Sequence, residues 1–509
     1  MSLGRTRSVT LRGIEGTVVD VEANASQGLP AFTVTGMPDA ACRQSPERIR
    51  AACGNSELEL PSGRITVNLS PAALPKHGSG FDLAIAVAAL AAAGVVATEV
   101  VRDIVHLGEL ALDGSIRPVY GVLPAVLAAV AAGVTHVVVP AANAAEAALV
   151  PGVLITPMRT LPELVVRYDL VRKRRPLPDL PIDPPATAAA RELPDLRDVS
   201  GQEEARHALE VAAAGGHHMA MIGPPGAGKT MIAERLPGIL PPLERADALE
   251  VTAIHSVLGA LGAEVLIDRA PFVAPHHGAS MAAVIGGGSG PIRPGAVSRA
   301  HRGVLFLDES PEFRRDVLDA LRQPLEAGRV TIARADRVAT YPARFQLVLA
   351  ANPCPCGKNY GKGGGCSCSV LMRRGYLNKL SGPLMDRVDV HLQVAPVTRA
   401  SLAGPGGEPS AAVAARVVQA RERQARRWHG CGWQINGTAP GPALRGRWRL
   451  PRETTMVLDR ALETGTLTMR GYDRCLRVGW TLADLQELDA PGPEHLLRAL
   501  ALRTSQAAA

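Results

Sequence analysis

"HMAMIGPPGAGKTMIAERL", His218 to Leu236, decides the fold of the chain's central part. Its middle eight residues, Gly223, Pro224, Pro225, Gly226, Ala227, Gly228, Lys229 and Thr230, fit the G-x-x-x-x-G-K-S/T spacing of a phosphate-binding loop. The context agrees, since "HMAMI" reads as a strand and "TMIAERL" as the opening of a helix. Glycines let backbone N–H groups turn toward phosphates at the helix N-terminus, where the dipole favours anions. Lys229 is expected to bridge the β- and γ-phosphates of ATP, and Thr230 to hold Mg²⁺.

Two apolar strands downstream extend the site. "GVLFLDES" ends in Asp308 and Glu309. An Asp here completes Mg²⁺ coordination, and the neighbouring Glu is placed to polarise an attacking water. "RFQLVLAAN" ends in Asn352. In an open α/β sheet the C-terminal strand ends face the ligand, so Asn352 is expected at the γ-phosphate or its water. The bland alternatives are a solvated turn for Asp-Glu and a turn former for Asn352.

Directly after Asn352 comes "PCPCGKNYGKGGGCSC", with four of the chain's eight cysteines as two Cys-x-Cys pairs. In an extended segment residues i and i+2 share a face, and Pro355 biases Cys354 toward that shape. Cys354 with Cys356, and Cys366 with Cys368, could then present four thiolates to a tetrahedral Zn²⁺. An iron–sulfur cluster and a metal-free reduced loop are the alternatives.

The 509 residues allow two to four domains. Hydrophobic content of 47% and charged content of 20% are ordinary for a globular chain. A net charge of +7 permits an acidic polymer as partner without showing one. The N-terminus lacks a signal-peptide apolar region. The longest apolar run, "LAIAVAALAAAGVVA" from Leu83, falls short of the ~18 residues of a membrane span and reads as a core helix. No membrane association is expected, and a cytoplasmic location with reduced thiols is.

Composition divides the chain into residues 1–171, with mixed strand and Ala-rich helical signals, a basic then Pro-rich linker at 172–196, an α/β core at 197–397, a second flexible stretch at 398–412, and a helical region at 413–509.

The motif order, with "APHHGASMAAVIGGG", "SRAHRGVLFLDE", "LRQPLEAGRV", "ANPCPCG" and "LSGPLMDRVDV", resembles the Mg-chelatase-like AAA+ ATPase family of the ComM and YifB type. The resemblance covers nearly the whole chain. It implies an AAA+ P-loop core with hairpin inserts, a C-terminal helical lid, and a ring, expected as a homo-hexamer, whose active sites lie between subunits. Arg387 in "MDRVDV" matches the arginine finger that reaches a neighbour's γ-phosphate. Arg470 in "LTMRGYDRCLRV" matches the lid's sensor-2 arginine, with Arg474 and Arg477 as close competitors. Trp480 stands where the family usually has arginine.

"PKHGSGFDLAIA" and "LGELALDGSIRPVYGVLPA" resemble the Lon-protease fold, a ribosomal-protein-S5-like α+β unit. Its Ser-Lys dyad falls at Gly80 and near Leu123, so no peptidase activity is expected; a shifted pair, Ser79 with Lys76, is the remaining route to one.

Two stretches are candidate pore loops, one at 276–300 and one at "RVTIARADRVAT", which reads as a hairpin carrying Arg329, Arg334 and Arg337. Basic hairpins in a pore suit a phosphate backbone. Arg416 to Arg452 holds nine arginines and one acid with Trp428, Trp433 and Trp448 interleaved, which suits either a single-strand grip or a charged surface over core tryptophans. His276, His277 and His301 could bind a metal, but a loop-packing or polar-contact role is expected. The expected function is an ATP-driven motor on single-stranded or branched DNA, a helicase or branch-migration translocase of the ComM type in recombination or natural transformation. The alternatives are Mg-chelatase-type remodelling of a protein partner and, less favoured, an ATP-dependent protease.

Overall fold

A computed structural model describes residues 2–180, 193–262, 265–288, 292–334, 337–360, 365–396 and 406–504. The N-terminal part carries β1 (Ser2–Arg12), β2 (Glu15–Ser26), β3 (Ala31–Thr35), β4 (Arg64–Ser70), helix α1 (Asp82–Ala92), β5 (Val105–His106), β6 (Glu109–Leu110), β7 (Ile116–Arg117), α2 (Val122–Ala131), β8 (His136–Pro140) and β9 (Leu154–Met158). Seven strands form one mixed sheet in the order β3-β4-β2-β1-β5-β8-β9, and β6 pairs with β7 alone. The long β1–β2 hairpin runs from Ser2↔Ala25 to Arg12↔Glu15.

Helix α1 is the apolar run noted above, and all eleven of its residues are buried. Small side chains let it lie against the sheet backbone. A Cβ added at Gly4 of β1 would stand 2.1 Å from the Ala88 carbonyl oxygen, so any larger residue would force the two apart.

The central part carries α3 (Glu203–Gly215), β10 (Met219–Ile222), α4 (Lys229–Ile239), α5 (Arg245–Leu258), β11 (Phe272–Val273), β12 (Gly286–Gly287), β13 (Arg293–Pro294), β14 (Val304–Leu307), β15 (Arg329–Arg334), β16 (Arg337–Pro342), β17 (Gln346–Ala351), α6 (Val370–Leu377) and β18 (Val390–Gln393). Five of these strands form a parallel sheet in the order β11-β14-β17-β10-β18. Every residue of β14 and β17 is buried, the continuous apolar pattern of strands covered on both faces. The phosphate loop leaves β10 between β17 and β18, so Asp308 and Asn352 emerge beside it.

Helices α7 (Ser410–Arg427), α8 (Arg452–Glu463), α9 (Met469–Leu485) and α10 (Pro493–Thr504) complete the chain. Helix α7 begins inside the stretch whose composition reads as flexible; residues 397–405 of that stretch, like 181–192 of the Pro-rich linker, lie outside the described residues. Among the described residues the C-terminal helices share their core with the central sheet. Val413, Val417, Leu458, Leu476 and Leu496 belong to one buried cluster with α3, α4 and the inner faces of β10, β14 and β17.

Of the interleaved tryptophans, Trp428 lies in this cluster and Trp433 and Trp448 pack against it, which favours the core-tryptophan alternative over the single-strand grip. Trp428 is 1% exposed, and its ring lies 4.9 Å from Trp448 and 6.0 Å from both Trp433 and Trp480. Arg427 lies 4.4 Å above the Trp480 ring and pairs with the buried Asp484. Trp428 and Trp480 are buried, while Trp433 and Trp448 are half-buried against the same cluster.

The N-terminal sheet and the central part meet along α5. Ala253 of α5 sits in the buried cluster of α2 and β8. The Gly121 N–H donates to the Ser256 carbonyl at 3.2 Å, and the Ser256 hydroxyl donates to Glu146. Among the described residues no helix is long and apolar enough to cross a membrane.

Candidate functional site

The phosphate loop turns through Gly226 (φ +74°) and Gly228 (φ +87°), positions a side chain would strain. Lys229, the first residue of α4, folds its amine onto the loop. It donates to the carbonyls of Gly223 at 2.7 Å and Pro224 at 3.0 Å, and to the Asn352 Oδ1 at 3.2 Å. Burial lowers the Lys229 pKa, while the Asp308 and Glu309 carboxylates pull it the other way. The Thr230 hydroxyl donates to Asp308 Oδ2 at 2.7 Å. Five expected residues from three separate segments, Lys229, Thr230, Asp308, Glu309 and Asn352, thus converge at the C-terminal ends of β10, β14 and β17.

Glu309 has φ +48°, a left-handed backbone costing a non-glycine residue about 1 kcal/mol or more. The turn aims its carboxylate at His277, whose Nδ1 lies 3.1 Å away. The His276 and His277 rings stack at 4.1 Å. His277 thus makes a polar contact, one of the two roles expected of it. It touches the residue expected to act on water, and nothing in "APHHGAS" signalled that contact. His301 does serve packing, donating to Glu250 at 2.7 Å and accepting from the Arg344 N–H at 3.0 Å.

The arginines gather elsewhere. Arg387, Arg470 and Arg474 line a cavity of about 180 Å³ together with Glu326, Asp386 and Asp473. Arg387 is 9% exposed, pairs with Glu326, and leaves its Nε buried without a partner. Burial lowers its pKa, and Arg322, Arg470 and Arg474 add to that by repulsion. Arg474 is committed to buried Asp389 at 2.8 Å, and Arg477 to the Ala439 carbonyl at 2.8 Å. Arg470 is exposed, at the N-terminal end of α9. Asp389 also accepts from the His218 N–H at 3.2 Å, which fixes the cluster at the start of β10. The phosphate loop is at the other end of that four-residue strand, roughly 13 Å away. Arg470 therefore lies beside Arg387, at the end of β10 away from its own chain's phosphate loop.

Strands β15 and β16 form the expected hairpin, with Arg334 opposite Arg337 at its far end. The Arg329 and Arg334 side chains are exposed. The tip, Ala335 and Asp336, and the Arg337 side chain lie outside the described residues. Strands β12 and β13 form a second ribbon, with Arg293 exposed. The Tyr341 hydroxyl donates to the Ile292 carbonyl at 2.8 Å, joining the two ribbons.

The cysteine sulfurs converge. Cys354 lies 3.4 Å from Cys356 and 3.7 Å from Cys366, Cys356 lies 3.7 Å from Cys366, and all four sulfurs are within 4.8 Å of one another. In the N-terminal part, Lys76 is fully buried and donates to the carbonyls of Leu69 and Pro71, while Ser79 donates to Glu109. These two side chains make no pair.

A parallel sheet of this order, with a phosphate loop after β10, Asn352 on the adjacent β17 and Asp-Glu on β14 one strand further, belongs to the AAA+ class of ATP-binding folds. Family models match three segments: "Subunit ChlI of Mg-chelatase" over residues 21–143, "Magnesium chelatase, subunit ChlI" over 195–402, and "Magnesium chelatase, subunit ChlI C-terminal" over 407–503. An uncharacterised protein of Mycobacterium tuberculosis is 49% identical over 508 residues, 100% of both chains. YifB of Escherichia coli is 39% identical over 511 residues, 99% of this chain and 97% of that one. The competence protein ComM of Haemophilus influenzae is 40% identical over 506 residues, 99% of this chain and 98% of that one. The chain belongs to the Mg-chelatase-like family that includes YifB and ComM.

Proposed function

We propose that the chain is an ATP-hydrolysing ring motor, a homo-hexamer that moves single-stranded or branched DNA through its pore, with a ComM-type role in competence. The observation that carries this reading is the separation within one chain of Lys229, Asp308 and Glu309 from Arg387 and Arg470. Basic groups that cannot reach their own phosphate loop are suited to completing a neighbour's, and closing that relation head to tail gives a ring.

The Thr230 and Asp308 oxygens, 2.7 Å apart, have the spacing of adjacent oxygens on a hard octahedral cation, so the pair fits Mg²⁺. When bound, Mg²⁺ would neutralise charge on the β- and γ-phosphates. Lys229 would exchange its loop carbonyls for phosphate oxygens. Asn352, already bonded to Lys229, would hold the γ-phosphate or the water. Glu309, released from His277, would polarise that water as general base. The neighbour's Arg387 and Arg470 would stabilise charge developing on the transferred phosphoryl group.

The two linked ribbons carrying Arg293, Arg329 and Arg334 are suited to the DNA backbone. The absence of a Lys76–Ser79 pair supports a motor without peptidase activity. The test is ATPase turnover and strand displacement on a forked substrate. DNA should stimulate turnover, and displacement should require ATP. No stimulation and no salt-dependent fork binding would sink the DNA reading and favour a protein substrate.

A further inference from the structure

We propose that Cys354, Cys356, Cys366 and Cys368 hold one structural Zn²⁺, and that this metal braces the phosphate loop. The first half rests on the sulfurs alone. Four thiolates at about 2.3 Å from a tetrahedral ion stand about 3.8 Å from one another. The sulfur separations of 3.4, 3.7 and 3.7 Å lie close to that edge and far above the ~2.05 Å of a disulfide. All four sulfurs fit within 4.8 Å, room for a single ion and too little for a cluster whose thiolates sit on different irons. An all-thiolate tetrahedral set favours Zn²⁺ over Mg²⁺ or Ca²⁺.

The second half rests on where the loop lies, and on the reading of Gly223 to Thr230 as the ATP site. Cys354 is fully buried, two residues beyond Asn352. Its carbonyl accepts from the Gly357 N–H at 2.9 Å, closing a tight turn. Gly357 has φ +74°, and a Cβ added there would stand 2.6 Å from Pro225 Cδ and Cγ. The cysteine turn therefore rests its backbone directly on the phosphate loop. Pro225 sits in the non-helical half of that loop, where α4 gives no support. A metal joining Cys354 and Cys356 to Cys366 and Cys368 ties the turn at Cys354–Gly357 to a second point of the chain and so holds it against Pro225. The four thiols bind as thiolates and release their protons to solvent.

The test uses the full-length protein purified without chelator. Elemental analysis should find about one zinc per chain. The double variant Cys356→Ser/Cys366→Ser should lose it, and Cys431→Ser, outside the cluster, should keep it. Zinc removed from wild-type protein by a thiol-directed mercurial and then thiol should weaken binding of a fluorescent ATP analogue by about tenfold, with far-UV circular dichroism unchanged. Added Zn²⁺ should restore affinity, and Mg²⁺ should not. Zinc well below one per chain, or iron in its place, overturns the metal assignment. Complete zinc loss with unchanged nucleotide affinity overturns the bracing. Zinc-replete protein that binds no nucleotide overturns the phosphate-loop reading instead, so the failures are distinguishable.

Discussion

Arg387 gives the sharpest prediction, because its distance from its own phosphate loop makes cis and trans action separable. Arg387→Ala removes a guanidinium that is 9% exposed and set among Arg470 and Arg474. A finger of this kind is worth about 10³-fold or more in kcat, so the variant should bind ATP and turn it over about a thousandfold more slowly. Glu309→Gln should be comparably inert for a different reason, loss of the general base. Each variant keeps the half-site the other lacks. In rings reassembled from an equal mixture, about one interface in four joins an intact nucleotide face to an intact arginine face. If sites fire independently, the mixture should recover about a quarter of wild-type ATPase, some two orders of magnitude above either parent. The assay is steady-state phosphate release before and after subunit exchange, with mixed rings verified by differential tagging. A mixture no faster than its parents, in verified mixed rings, would refute trans action and leave Arg387 a structural partner of Glu326.

Four further outcomes follow from the geometry. Glu309→Gln should retain nucleotide affinity while kcat falls about 10²- to 10⁴-fold, and wild-type turnover would remove Glu309 from the mechanism. Arg329→Glu with Arg334→Glu should weaken binding to any DNA sequence and flatten the dependence of log Kd on log salt by about two charges, measured by anisotropy titration. Trp480→Ala should destabilise the C-terminal cluster by about 3–5 kcal/mol in denaturant unfolding, as expected of a packed ring and unexpected of a solvent-facing one. Asp389 is pushed up by burial, but Arg474 and His217 outweigh that and hold it well below the carboxylate range. A depressed folded pKa means its stabilisation is complete above the unfolded value near 4 and is lost as pH falls below it. Asp389→Asn should therefore be less stable than wild type at neutral pH, with the gap closing in acid; a constant gap would count against this ion pair.

The phosphate loop, the Asp-Glu strand and the Asn-ended strand were legible because each signal is local. A buried parallel strand is a continuous apolar run, and its polar terminus marks the ligand edge. The cysteine pairs were legible as a local cluster, but Cys354 and Cys356 meet through a tight turn closed by the Gly357 N–H and not through the extended step expected from Pro355. The arginines were not. Arg387 and Arg470 are 83 residues apart in sequence, and no spacing rule says that both lie at the start of β10. The tryptophans stayed ambiguous because arginines interleaved with aromatics describe a nucleic-acid grip and a core edge equally well. Burial decides between them, and Arg427 satisfies both patterns by stacking on Trp480 inside the cluster. His277 escaped because its partner, Glu309, is presented by a left-handed turn that residue type does not announce.

Among the described residues the C-terminal helices share their core with the nucleotide sheet. In mechanical terms, α9 and the strand that carries the phosphate loop contribute to one buried cluster, through which a rotation could be passed between them. A small rotation of this kind on nucleotide binding would swing Arg470 and Arg387 at the opposite end, about a strand length away. If the proposed ring forms, each subunit would then present its neighbour with arginines whose position reports its own nucleotide.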